Sequence, residues 1–183
     1  MGLTVIDAGV MIGLLDVRDG NHGAALEALI SAATSGDVVA TSASAVAELL
    51  VVPARKGGGR LHDQMLADAV LGFCCEYPVE IVAVGVEIAT QAARLRATHG
   101  PGLRLPDALV VATALVREAD ALVTTDRRWP TAEHLGLAGR LLVLETEGRV
   151  GRLEGSVTQG STVHRTGAYV GVTGVKRHPL QSA

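Results

Sequence analysis

The sequence predicts an α/β fold in which a mainly parallel sheet is sandwiched between helices. Short β-prone runs alternate along the chain with longer segments of helical pattern, and this order is typical of βαβ units. The first β-prone run, Leu3–Ile6, is typical of a central strand that is covered on both faces. The chain has 183 residues, 48% of them apolar, which is enough to bury a core in one domain.

Five strands and five helices are predicted in the order that the chain presents them. The strands comprise residues 3–6, 38–41, 79–84, 121–126 and 139–144. The helices comprise residues 22–33 capped by Asn21, about 46–51 capped by Ser42 or Ser44, 61–76, 86–99, and a helix that begins at Pro106. Pro53 is expected to strain the second of these helices, and the basic, glycine-rich residues 55–60 are expected to break it.

Four acidic residues border or interrupt these apolar elements. Asp7 and Asp126 each end a predicted strand, and binding sites in open parallel sheets form outside the carboxyl ends of the strands. Asp107 falls in the first turn of its helix, where the helix dipole should keep it ionised. Glu48 lies inside an apolar helical stretch, where a charge is costly unless it is paired or faces a cleft.

Four carboxylates brought together would repel one another unless a cation compensated them. Mg²⁺ or Mn²⁺ suits such a pocket, because hard cations prefer oxygen ligands. A cation of this kind can activate water for attack on a phosphodiester. The sequence offers no nucleophile elbow, phosphate-binding loop or dinucleotide fingerprint that would support a different chemistry.

Four segments that contain these acids resemble the four acidic motifs of PIN domains, and in particular those of VapC toxins of type II toxin–antitoxin modules. The segments are Val5–Ile12, Ala45–Leu49, Leu105–Ala114 and Leu122–Trp129. The resemblance covers residues 1–145 and implies a PIN-like three-layer α/β/α sandwich. It also implies an Mg²⁺- or Mn²⁺-dependent endoribonuclease that forms a homodimer and is inhibited by a partner antitoxin.

The resemblance further implies a role for each acid. Asp7 and Asp107 match the positions that are most directly tied to metal, and Glu48 and Asp126 complete the acidic pocket. Gly9 is a departure, since a small hydroxyl residue often stands two places after the first aspartate in this family. Two alternatives stay open: a PIN nuclease that processes RNA without an antitoxin, and a non-catalytic RNA-binding or regulatory PIN module.

Contacts with RNA and with a protein partner are expected from flanking residues. Arg104, Arg127 and Arg128 flank the third and fourth motifs and are candidates for contacts with RNA phosphates. The helices at residues 43–52 and 61–73 are more apolar than one buried face requires. We therefore expect part of their surface to form a groove for a helix of the antitoxin.

The last 38 residues differ in character from the rest. Residues 146–183 are rich in Gly, Thr and Val, carry five basic residues against two acidic ones, and have no helical period. We expect a loosely ordered basic tail after a nuclease domain at residues 1–145. We also expect a cytoplasmic protein, because the two cysteines are adjacent and neither a signal peptide nor an apolar stretch of about twenty residues is present.

Overall fold

The structure is a computed structural model that describes residues 2–56, 68–73 and 79–145. It contains one sheet whose five strands are all parallel, in the order β3-β2-β1-β4-β5. The strands are β1 (Leu3–Ile6), β2 (Val38–Ser42), β3 (Val79–Val82), β4 (Ala121–Thr124) and β5 (Arg140–Val143). The predicted α/β fold with a parallel central sheet is confirmed. The predicted tail at residues 146–183 lies outside the described residues.

Helices connect the strands. They are α1 (Ala8–Leu15), α2 (His22–Ser35), α3 (Ala43–Lys56), α4 (Val86–His99), α5 (Leu105–Val116) and the short α6 (Ala132–Leu135). Residues 68–73 are also helical, and the rest of the helix predicted at residues 61–76 lies outside the described residues. None of the helices in these ranges is long and apolar enough to cross a bilayer.

The core lies on both faces of the sheet. Consecutive strand residues point to opposite faces, so Val5 and Leu122 join one apolar cluster while Ile6 and Val123 join the other. The first cluster includes residues of α4 and α5, and the second includes residues of α1, α2 and α3. The three central strands β2, β1 and β4 are therefore covered on both sides, as their apolar sequences predict.

The chain order places a crevice beside β1. From β1 the chain proceeds through β2 to β3 on one side, and then returns to β4 and β5 on the other. Ile6 pairs with Thr41 of β2 and with Val123 of β4, so these three strands end side by side. A reversal of strand order of this kind is the usual place for a binding site in an open α/β sheet.

Two local features differ from the elements predicted from the sequence. The predicted helices do not include α1, which begins at Ala8 because the side chain of Asp7 caps it. The helix α3 spans Ala43–Lys56 and is longer than the predicted residues 46–51, with Pro53 inside it. The choice of cap for α3 is also resolved, since the Ser42 hydroxyl accepts a hydrogen bond from the Ser44 amide at 3.3 Å.

Candidate active site

Asp7 stands where the central strand turns directly into a helix. Its backbone N–H donates to the Val123 carbonyl, which continues the β1–β4 ladder by one residue. Its side chain then caps α1, with Oδ1 accepting from the Val10 amide at 2.8 Å. The side chain is only 6% exposed. One buried carboxylate is thus held rigidly at the carboxyl end of the sheet.

Thr124, the last residue of β4, connects Asp7 to the fourth acidic segment. Its hydroxyl donates to Asp7 Oδ2 and accepts the backbone N–H of Asp126 at 3.0 Å. This single buried hydroxyl therefore orients both the Asp7 carboxylate and the backbone that carries Asp126. The sequence analysis missed Thr124, although a hydroxyl residue two places before a candidate aspartate was a signal that could have revealed it.

Asp107 and Glu48 reach the same region from two helices. Asp107 lies in the first turn of α5, after Pro106, and is half-buried. Glu48 lies on α3 and is exposed, so the expectation that it faces a cleft rather than the core agrees with its position.

All four predicted acids line one open cavity of about 330 Å³ at the carboxyl edge of the sheet. We call it the acidic cavity. Its lining residues are Asp7, Ala8, Gly9, Ile12, Glu48, Asp107, Val110, Thr125 and Asp126. The fold thus brings together carboxylates that are up to 119 positions apart in sequence. Their assignment to metal binding and catalysis stays a prediction.

Burial and mutual repulsion raise the pKa of three of these carboxyl groups. Burial raises the pKa of Asp7, and the hydrogen bonds from Thr124 and Val10 only partly oppose it. Desolvation raises the pKa of Glu48, and the charges of Asp107 and Asp7 raise it further. The folded protein therefore holds negative charges together at a cost that a bound cation would remove.

Asp107 and Asp126 differ in the sign of their pKa shifts. Burial, followed by the charge of Asp126, raises the pKa of Asp107. The backbone hydrogen bond at Arg104, at the start of α5, opposes this rise, so the helix N-terminus favours the ionised form of Asp107 as expected, while burial opposes it more strongly. The pKa of Asp126 is lowered instead, because the side chain of Arg128 donates hydrogen bonds to its carboxylate.

The three predicted RNA-binding arginines are placed differently. Arg128 makes a two-point contact with Asp126, from Nε to Oδ1 at 2.9 Å and from its terminal nitrogen to Oδ2 at 2.7 Å. Arg104 is exposed at the start of α5, and its charge lowers the pKa of Asp107. Arg127 instead faces Glu145 at 3.9 Å. Arg104 and Arg128 therefore supply positive charge at the rim of the acidic cavity.

The donor set of the cavity fits a hydrated divalent cation. Within the described ranges, no three carboxylate, histidine or cysteine side chains converge closely enough to enclose a metal ion. Mg²⁺ does not require such a cage, since it retains several waters beside one or two carboxylates. The residues that could hold the ion are Asp7 and Asp107, with Glu48 and Asp126 in the same cavity.

A model of the PIN domain family matches residues 4–135 of this chain. The chain belongs to the PIN domain family. No curated protein is significantly similar to it in sequence. The resemblance inferred from the four acidic segments is thereby confirmed at the level of the family.

Several solved structures have a similar fold. VapBC2 from Rickettsia felis, bound to a DNA fragment from its promoter, matches with a TM-score of 0.54 and 15% identity over 78% of this chain and 99% of that one. VapC20 from Mycobacterium tuberculosis, a sarcin–ricin loop cleaving toxin, matches with a TM-score of 0.51 and 21% identity, over 65% of this chain and 86% of that one. FitAcB from Neisseria gonorrhoeae matches with a TM-score of 0.51 and 19% identity over 76% and 96%. At these identities the similarity concerns the fold alone.

Proposed function

We propose that this PIN domain is a metal-dependent endoribonuclease and the toxin of a VapBC-type toxin–antitoxin pair. The observation that carries the proposal is the acidic cavity, in which carboxylates from four separate segments meet beside the central strand. Within the PIN family fold, this arrangement suits the binding of Mg²⁺ or Mn²⁺ and the hydrolysis of an RNA phosphodiester bond.

In this proposal Asp7 and Asp107 hold the ion, and Glu48 and Asp126 complete its surroundings. A bound Mg²⁺ or Mn²⁺ would polarise the phosphodiester and lower the pKa of a water molecule. Asp7 is suited to its role because the Val10 amide and the Thr124 hydroxyl fix both of its oxygens. Thr124 is accordingly a positioning residue.

Arg104 and Arg128 are proposed to contact RNA phosphates. Both lie at the rim of the acidic cavity and are exposed, and guanidinium groups bind phosphate oxygens through paired hydrogen bonds. Arg128 would exchange its contact with Asp126 for one with the substrate. Arg127 is a weaker candidate, because it is oriented toward Glu145. Trp129 is only 8% exposed and belongs to the core, so it does not stack on a base.

An antitoxin partner and a homodimer are also part of the proposal. The structures with a similar fold include VapBC2 from R. felis and the toxin VapC20 from M. tuberculosis. On this chain, Ile12 and Leu15 of α1 and Val51 of α3 are apolar side chains between 37% and 40% exposed. An apolar helix of an antitoxin that covered α1 and α3 would bury these side chains beside the acidic cavity.

A cleavage assay tests the enzymatic part of the proposal. The purified protein, free of any antitoxin, is incubated with a mixed RNA substrate in Mg²⁺ or Mn²⁺ and again with EDTA. We expect cleavage only with the metal, and none for Asp107→Asn. The matched control is Asp120→Asn, an isosteric change at the opposite edge of the sheet, which should cleave like the wild type.

Three results would contradict the proposal or a part of it. Cleavage that persists in EDTA would exclude a metal-dependent reaction. Wild-type protein that neither cleaves RNA nor binds Mn²⁺ in a calorimetric titration would instead indicate the regulatory PIN module. A nuclease that cleaves but captures no antitoxin encoded beside it would be an RNA-processing PIN enzyme.

A further inference from the structure

Two neighbouring threonines at the end of β4 differ in how their hydroxyl groups are used. The Thr124 hydroxyl is fully engaged, because it donates to Asp7 and accepts from the Asp126 amide. Thr125 is half-buried and lines the acidic cavity. In the part of the chain that the structure describes, its hydroxyl has no hydrogen-bond partner. The only uncommitted hydroxyl group in the cavity lining described here is thus the one on Thr125.

Because Gly9 has no side chain, the Thr125 hydroxyl can occupy the space beside it. A Cβ atom on Gly9 would lie 2.0 Å from Thr125 Oγ1, 3.3 Å from Thr125 Cβ and 3.4 Å from Asp7 Oδ1. Any side chain at position 9 would therefore displace this hydroxyl. Gly9 lies inside the helix α1, where glycine is less favourable than alanine. The helix thus carries an unfavourable residue at the one place where the hydroxyl needs room.

The same distances place the hydroxyl beside the buried carboxylate. The Cβ position on Gly9 lies close to both Thr125 Oγ1 and Asp7 Oδ1, and the Thr125 backbone helps to lower the pKa of Asp7. A hydroxyl can donate one hydrogen bond and accept two, whereas the ionised carboxylates around it can only accept. Thr125 is therefore suited to hold a water molecule next to a cation at Asp7.

We propose that Thr125 is a positioning residue for the hydrated divalent cation, and that Gly9 is required because it leaves room for the Thr125 hydroxyl. This inference rests on the proposed function, since it names a further residue of the same site. Groups that surround a metal site without binding the ion usually change its affinity by about 10–100-fold. We expect an effect near the lower end of this range, because one neutral hydrogen bond is involved.

Three single variants test the proposal by calorimetric titration of the metal-free full chain with Mn²⁺. Thr125→Val keeps the shape of the side chain and removes the hydroxyl, and should weaken Mn²⁺ binding about tenfold. Thr125→Ser keeps the hydroxyl and should bind Mn²⁺ like the wild type. Gly9→Ala leaves Thr125 in place but displaces its hydroxyl, and should weaken binding as Thr125→Val does.

A pair of double variants separates the effect of the hydroxyl on Mn²⁺ binding from the effect of side-chain packing. Gly9→Ser with Thr125→Ala delivers a hydroxyl from the helix instead of the strand, and leaves a Cβ-to-Cβ separation of about 3.3 Å that small shifts can relieve. Gly9→Ala with Thr125→Ala has the same backbone and volume without the hydroxyl. The serine variant should bind Mn²⁺ several-fold more tightly than its alanine partner. Thermal unfolding in EDTA shows whether each variant folds.

The outcomes distinguish this inference from the proposed function. If the wild type binds Mn²⁺ and cleaves RNA but Thr125→Val binds Mn²⁺ equally well, only the role of Thr125 is wrong. If Thr125→Val lowers stability in EDTA without changing Mn²⁺ affinity, Thr125 is a packing residue and the inference is overturned. If the wild type does not bind Mn²⁺, the proposed function fails and this inference fails with it.

Discussion

The two edges of the sheet both carry aspartates, but they use them in opposite ways. At the amino edge, Asp37 accepts the Gly2 amide at 3.1 Å and Asp120 accepts the Leu3 amide at 2.8 Å. These two carboxylates therefore fasten the start of β1. At the carboxyl edge, Asp7 is buried and shares a cavity with three further carboxylates, two of which also have raised pKa values.

The difference shows why the position of an acid at a strand end does not by itself indicate function. The amino-edge aspartates satisfy backbone donors that would otherwise lack a partner, which stabilises the fold. Three of the carboxyl-edge acids, Asp7, Glu48 and Asp107, raise the energy of the folded state when they are ionised, and at neutral pH a cation or a neutralising substitution relieves this. Neutralising substitutions at the carboxyl edge should therefore lower activity and raise stability in the absence of metal. Substitutions at the amino edge should lower stability and leave activity unchanged.

Asp7→Asn should have the largest effect on activity. Asparagine can still accept the Val10 amide and can donate to Thr124, so the fold should persist. We expect the rate of RNA cleavage to fall by at least about 100-fold, as when an electrostatic contribution to a transition state is removed. Asp37→Asn, at the amino edge, should leave the rate within about twofold in the same assay; a comparable loss there would contradict the distinction between the edges.

Glu48→Gln should have an intermediate effect. Glu48 is exposed and its pKa is raised by desolvation and by the charges of Asp107 and Asp7, so it contributes charge to the cavity from its open side. We expect Mn²⁺ affinity, measured by calorimetry, to fall about tenfold. Glu27→Gln on α2 is the matched exposed control and should not change it. Equal Mn²⁺ affinities for Glu48→Gln and Glu27→Gln would show that Glu48 does not contribute to the metal site.

Asp120→Ala should affect stability and not activity. The substitution removes the acceptor for the Leu3 amide, and an exposed hydrogen bond of this kind contributes about 1 kcal/mol. Urea unfolding should show a loss of this size in the free energy of unfolding, while RNA cleavage stays at the wild-type rate. A loss of cleavage without a loss of stability would reverse the assignment of the two edges.

Of these predictions, the pH dependence of stability should show the smallest effect. The pKa of Asp7 is raised above 3.8 in the folded protein, so the folded state releases this proton at a higher pH than the unfolded state does. Asp7 therefore lowers stability as the pH rises from about 3.8 to its raised pKa, and its contribution is constant above that. In EDTA, the stability advantage of Asp7→Asn over the wild type should grow through this window. An advantage that shrinks with rising pH would contradict the direction of the shift.

Much of the fold and the choice of acids follow from local sequence patterns. The apolar run before Asp7 and the Pro106–Asp107 helix start are decided within a few residues, so strands, helices and candidate acids were predictable. The sheet order was not, because periodicity within a segment carries no information on which strands pair. The full length of α3, which includes Pro53, was not predicted either, because tertiary packing can outweigh an unfavourable local preference.

The unpredicted features of the site are contacts between distant segments. Thr124 meets Asp7 across 117 positions, and the Thr125 hydroxyl fills the gap at Gly9 across a similar separation. The sequence shows that position 9 lacks a hydroxyl, but it does not show that the Thr125 hydroxyl, directly after β4, occupies the space beside Gly9. The Arg128 contact with Asp126 is local, yet its side-chain direction could not be read from spacing alone.

The most direct test of the account is the free energy of unfolding of the wild type and Asp7→Asn, measured with EDTA and with Mn²⁺ at neutral pH. In EDTA, Asp7→Asn should be the more stable protein, because it lacks a buried carboxylate among like charges. At an Mn²⁺ concentration about a hundred times the dissociation constant, the free energy of unfolding of the wild type should rise by about 2.7 kcal/mol. That of the variant should hardly change. A wild type that is more stable in EDTA and gains no more from Mn²⁺ than Asp7→Asn would show that the acidic cavity does not hold a cation.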